Sequence, residues 1–218
     1  MRQSRLEKLN LCLAEAEEKH PGPEATAHSM MRYGNLRNVY DPIMTEFTEM
    51  SKAIPDEKFE LLKSYLKSAG KCIGTYKTGN ELKKQAYIMP MLIIVCSLFN
   101  DEDEVTLGIA PTYSTTNLKF TSQFDFVLER KGKRVYFVVA NDMDKGLAQL
   151  LLGCDGVSNV RSDDVYGIVT TISDWTFLKS CDSEIFKHET TMLVENNVMN
   201  PDSLRNIVGI IYTMLCRE

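Results

Sequence analysis

The chain has 218 residues, 44% of them hydrophobic and 25% charged, and 30 acidic against 25 basic side chains leave a net charge of −5. Twelve glycines and seven prolines exclude collagen-like and low-complexity classes, and the acidic balance argues against a generic polyanion binder. A chain of this length buries enough surface to form a core without disulfides or a structural metal.

Residues 2–19 read as a helix, with Leu6, Leu9, Leu13 and Ala16 on one side. HPGPEATAHS, from His20 to Ser29, reads as a loop, because Pro21 ends the helix before it. Asp41-Pro42 is expected to cap and open a second helix, and Pro55 a third, DEKFELLKSYLKSAGK, with acids early and lysines late. After Gly79 a longer helix is expected, bent at Pro90. Its apolar core, Ala86 to Phe99, has 14 residues, and a membrane span needs about 20, so it reads as a buried helix.

Period-two signals follow. Glu104–Ala110, Gln123–Glu129 and Arg134–Ala140 read as strands, the last two joined by a basic hairpin turn around Gly132. A helix from Asp144 to Val157, strands at Val165–Thr171, from Trp175 and at Thr190–Val194, and a terminal helix after Pro201 complete the reading. Strands between two helical regions, with a helix crossing between neighbours, predict an α/β fold of mixed character. Its centre is a mixed sheet of about four to five strands flanked by helices. The chain divides into an N-terminal helical region, 1–78, and an α/β domain, 79–218.

Local motifs of phosphate-binding loops, dinucleotide sites, serine hydrolases and zinc proteases are absent. The six cysteines are scattered without a CxxC, and the histidines lack an HxxxH spacing. MRQSRLEKLN has no apolar signal-peptide core, so reduced thiols and an intracellular site, cytoplasmic or nuclear, are expected. The informative order is a helix bearing Glu81, a strand with Asp125, a hairpin, a strand ending FVVAN, and a helix containing Gln149.

That order resembles the PD-(D/E)XK nuclease superfamily, which has the restriction-endonuclease-like fold. The nearer likeness is to nuclease-like domains of Crinkler-type effectors and retroelement-associated proteins. The resemblance spans roughly residues 79–180, including VYGIVTT and SDWTFL. It implies that Glu81 is the helix acid, Asp125 the strand aspartate and Gln149 the helix glutamine. The acid-x-lysine position falls on Val139-Ala140-Asn141, where neither the acid nor the lysine is present.

Phosphodiester hydrolysis of this kind uses Mg²⁺ or Mn²⁺ held by carboxylates, with a lysine to offset developing charge. Valine offers no ligand oxygen, and asparagine removes a positive charge. Losing one preorganised electrostatic group costs on the order of 10²–10³ in rate. Asp142, Asp144 and Lys145 follow at once and could stand in as displaced groups. Strand alternation instead favours Asp142 or Asp144 as a cap of the next helix. The plainer alternatives are a surface strand residue for Asp125 and a first-turn helix acid for Glu81.

The expected function is therefore a catalytically degenerate nuclease-fold module that binds, with no cofactor, and more through protein partners than DNA. Residues 81–218 carry 13 basic and 19 acidic side chains, a net −6 unsuited to nonspecific phosphate neutralisation. The alternative is an active Mg²⁺- or Mn²⁺-dependent DNA or RNA endonuclease with Glu81 and Asp125 as ligands and a displaced site. Nucleic acid stays a candidate partner, homodimerisation an option, and no membrane association is expected.

Overall fold

Three of the main-body helices begin beside a side chain, Asn80, Asp142 or Asn200, that accepts their first free amide groups. A computed structural model describes residues 2–19, 31–76, 80–115, 118, 120–131, 133–139, 142–157, 165–195 and 198–216. Helix α1 spans Arg2–Lys19, and α2 spans Tyr33–Tyr40. Helix α3, Asp56–Ile73, starts after Pro55 with Asp56 and Glu57 in its first turn and Lys71 in its last, complementing the helix dipole. It stops at Gly74, whose φ of 72° suits glycine. Helix α4, Glu81–Cys96, is capped by Asn80, which accepts the Lys83 amide at 3.1 Å, and runs through Pro90. Helix α5 spans Met143–Val157. Helix α6, Pro201–Cys216, is capped by Asn200, which accepts the amides of Asp202 and Ser203.

The strands are β1 (Met44–Glu46), β2 (Val105–Ile109), β3 (Thr112–Thr115), β4 (Phe120–Gln123), β5 (Phe126–Arg130) and β6 (Lys133–Val139). They continue as β7 (Val165–Thr170), β8 (Asp174–Ser180), β9 (Ile185–Thr191), β10 (Val194–Glu195) and β11 (Val198–Met199). Seven form one mixed sheet in the order β1-β9-β8-β7-β6-β5-β2, while β3–β4 and β10–β11 are separate two-stranded pairs. Strands β2, β5 and β6 are successively antiparallel, with Leu107 opposite Leu128 and Leu128 opposite Val135. Strand β6 then runs parallel to β7, and α5 makes the crossover.

Because both sheet faces are covered, β7 is buried at every position, as its unbroken run VYGIVT requires. One face packs against α3, α4 and α6 through Phe59, Met91, Phe126, Ile168, Phe177 and Ile211. The other packs against α1, α2 and α5 through Leu9, Leu36, Val127, Tyr136, Leu151 and Val169. Trp175 is buried to 1% and its indole N–H donates to the Ile172 carbonyl, so it is a core anchor.

The α/β class holds, with three corrections to the detail. The sheet has seven strands: β1 is an addition to the expected set, and the strand expected at Thr190–Val194 lies earlier, as β9 at Ile185–Thr191. No helix follows Asp41-Pro42: a single 3₁₀ turn leads into β1, which pairs in parallel with β9, and the helix lies earlier, at α2. The expected strand Gln123–Glu129 is divided at Phe124-Asp125. There the chain leaves its pairing with β3 and enters its pairing with β2. The expected loop at 20–29 lies outside the described residues. No helix among them is long and apolar enough to cross a membrane.

Candidate functional site

The parallel pair β6 and β7 ends at the edge of the sheet where α4 and α5 begin. Crossover connections leave a crevice beyond such strand ends, a common place for ligands. Glu81 opens α4, and Asp125 sits in the bend that opens β5. Residues three and four apart share a helix face, so Lys84 and Gln85 stand beside Glu81.

The Gln85 side-chain amide donates to Asp125 Oδ1, which fixes this aspartate against α4. The carboxyl groups of Glu81 and Asp125 lie close enough to interact directly. The Glu81 carboxyl is pushed above the usual carboxylate range, first by desolvation and then by the neighbouring Asp125 charge. Lys145 and Lys84 pull it back. Lys84 is only 8% exposed, and desolvation lowers its ammonium pKa against the opposing pull of Glu81. The cluster thus holds two carboxyl groups, two ammonium groups and an amide, drawn from α4, the β5 bend and the first turn of α5.

Gln149 lies one turn beyond Lys145 and donates to the Gln123 carbonyl at 2.7 Å. It ties α5 to the strand that delivers Asp125. Asp142 caps α5: Oδ1 accepts the Asp144 amide at 3.0 Å and the Lys145 amide at 3.4 Å, while Oδ2 pairs with Arg32. Arg32 and the helix amides hold the Asp142 carboxyl below the usual range. Asp144 accepts the Gly34 amide at 3.2 Å. Val139 ends β6 with its backbone opposite Thr170, and Asn141 lies outside the described residues.

Of the residues singled out by sequence, the structure therefore gathers Glu81, Asp125 and Lys145, with Gln149 bracing their support. Asp142 and Asp144 engage α5's amino end and the segment around Arg32. Sequence reasoning missed Lys84 and Gln85. Their spacing of three and four from Glu81 in NELKKQ was the available signal. Among the described residues, no three His, Cys, Asp or Glu side chains converge in a way that could hold a metal ion. Glu81 and Asp125 alone could contribute carboxylate oxygens.

Fold and site together define a two-sided α/β protein with an acid pair at the end of its parallel strands. Over 220 residues the chain is 29% identical to Crinkler effector protein 5 of Phytophthora infestans, a distant similarity. The match takes in 98% of this chain and 62% of that protein, so the chain spans somewhat under two thirds of that relative's length. No protein-family profile and no solved structure matches the chain.

Proposed function

We propose that this chain is an effector-type module on a nuclease-like scaffold whose catalytic centre is degenerate and which acts by binding a protein partner inside a cell. One observation carries the reading: the surviving acids, Glu81 and Asp125, are held together across α4 and the β5 bend, with Lys84 and Lys145 beside them. Two carboxylates opposed by two ammonium groups need no divalent cation for neutrality. The position where the resemblance places a third ligand is the aliphatic Val139. The order α4–β2–β5–β6–α5–β7, interrupted only by the separate β3–β4 pair, supports the nuclease-like scaffold. The likeness to a protein named an effector supports the role. Six free cysteines suit a reducing compartment.

The test is incubation of the purified chain with single- and double-stranded DNA and RNA in Mg²⁺ or Mn²⁺. The expected outcome is no cleavage; cleavage that Asp125→Ala abolishes refutes the proposal. Such cleavage would establish the second reading, an active metal-dependent nuclease, and the gathered cations favour it. Mg²⁺ can bind through one or two carboxylates when substrate phosphates and water complete its shell. Lys84 or Lys145 would then supply the positive charge that Asn141 lacks.

A further inference from the structure

Helix α3 carries three of the ten large hydrophobic side chains exposed among the described residues. Leu61 is 61% exposed and Tyr65 52% exposed, one helical turn apart, and exposed Cys72 continues their stripe seven residues on. Single exposed apolar residues need no explanation, whereas two on successive turns of one helix form a patch. The other side of α3 is already engaged, since Phe59, Leu62 and Leu66 are buried in the core.

The charges around this stripe are uneven. At a turn of 100° per residue, Lys58 adjoins Leu61 and Tyr65 on one side; on the other, exposed Glu57 adjoins Leu61 at the amino end, and Lys71 and then Lys67 border the stripe towards the carboxyl end. None of the three lysines has an acidic partner among the described residues. The acids at the start of α3 are partly consumed: Asp56 pairs with Arg205 at 2.9 Å and Glu60 with Lys63 at 2.7 Å. From Leu61 to Ile73 the helix has three lysines and no acid, on a chain of net charge −5.

We propose that the outer face of α3, centred on Leu61 and Tyr65 and bordered by Lys58 and Lys71, docks an acidic amphipathic helix of a protein partner. The inference rests on the partner-binding reading above and names a surface for it. Apolar side chains on such a helix cover Leu61 and Tyr65, and its carboxylates meet the unpaired lysines. A nucleic acid fits less well, because an apolar stripe divides the lysines and acids crowd the amino end of α3. A membrane fits less well, because only this narrow stripe is free to insert.

The experiment is fluorescence anisotropy of the full chain with a labelled, designed helical peptide bearing leucines on one face and glutamates beside them. Binding is expected to weaken as salt rises. It should fall by about tenfold or more in Leu61→Ser/Tyr65→Ser and in Lys58→Glu/Lys71→Glu, as for central anchors of an interface. Both variants alter exposed or partly exposed positions and should keep the wild-type thermal unfolding. The proposal is overturned if wild type does not bind the peptide, or if both variants bind it as wild type does.

It is equally overturned if the same substitutions abolish binding to a DNA duplex or to phosphatidylserine vesicles while peptide binding is absent. A dimer of the chain alone, seen by sedimentation and dispersed by Leu61→Ser/Tyr65→Ser, assigns the face to a second copy and also overturns it. The cleavage assay separates the two levels. Metal-dependent cleavage with peptide binding intact removes the degenerate-site reading and leaves the docking face. No cleavage together with no peptide binding removes the docking face alone.

Discussion

Replacing Asp155 with alanine should destabilise this protein by about 3–5 kcal/mol, because it strands a buried guanidinium. Arg5 on α1 is 6% exposed and donates to Asp155 Oδ1 on α5 at 2.6 Å, while Asp155 itself is 1% exposed. Tyr40 at the end of α2 donates to the other oxygen at 2.9 Å. The Arg5 Nε atom is buried with no hydrogen-bond partner of its own, so the guanidinium relies on this carboxylate. For a chain of this size each kcal/mol moves the midpoint by about 2–4 °C, so Asp155→Ala should lower Tm by about 6–20 °C.

Tyr40→Phe removes one hydrogen bond to a charged acceptor and should cost about 1.5–3 kcal/mol. The double variant Arg5→Met/Asp155→Leu replaces the pair with apolar volume and should be less damaging than Asp155→Ala alone. Urea unfolding followed by the fluorescence of Trp175, the single and buried tryptophan, measures all three. A loss below about 1 kcal/mol for Asp155→Ala would refute the reasoning, since exposed ion pairs show that size. Helix α1 would then not be locked to α5 through this pair.

Gly153→Ala should destabilise by about 1–3 kcal/mol through overpacking, because its Cβ would fall 2.3 Å from the Phe124 ring; thermal unfolding checks it. Gly167→Ala should behave alike, its Cβ meeting the Leu150 side chain at 2.7 Å. Glu81 has a raised folded pKa, so its contribution is fullest below the unfolded glutamate value and is lost as pH rises through the folded one. Glu81→Gln should therefore be more stable than wild type at neutral pH, with the gap closing towards about pH 4 in a Tm series. Asp142 has a depressed folded pKa, so its contribution is present above the ordinary aspartate value and is lost as pH falls through the folded one. Asp142→Ala should lower Tm at neutral pH and match wild type in strong acid.

How much of this was legible depended on how far apart the deciding contacts lie. The β-branched run VYGIVT and the helix after Pro201 show their structure locally, and both formed as read. The eight-residue α2 carries no such signal. Leu36, Val39 and Tyr40 are buried against α1 and α5, and that packing stabilises a helix too short to stand alone. The sheet edge was hidden for a related reason: β1 pairs with β9, and nothing in MTE announces a partner so distant in the chain. Polar β3 and β4 went unread because Thr and Ser alternation is a weak strand signal. At the site, Glu81 and Asp125 were visible only through an order of elements. Lys84 and Gln85 look like ordinary helix residues until the bend at Asp125 is brought against them.

That same bend bears on whether acids further along the chain could complete a cation site. A displaced ligand must present an oxygen towards Glu81 and Asp125. Asp142 has both oxygens engaged elsewhere, one by the first amides of α5 and one by Arg32. Turning it inwards would uncap α5, the helix that also delivers Lys145 and Gln149 to the cluster. Asp144 would have to release the Gly34 amide. The Arg32 pair is exposed and worth little by itself, so the cap is the stronger restraint. Asp142→Ala should accordingly leave Mn²⁺ affinity, measured by calorimetry, unchanged from wild type. A fall in that affinity would show that the acid reaches the ion, and the argument from capping would fail.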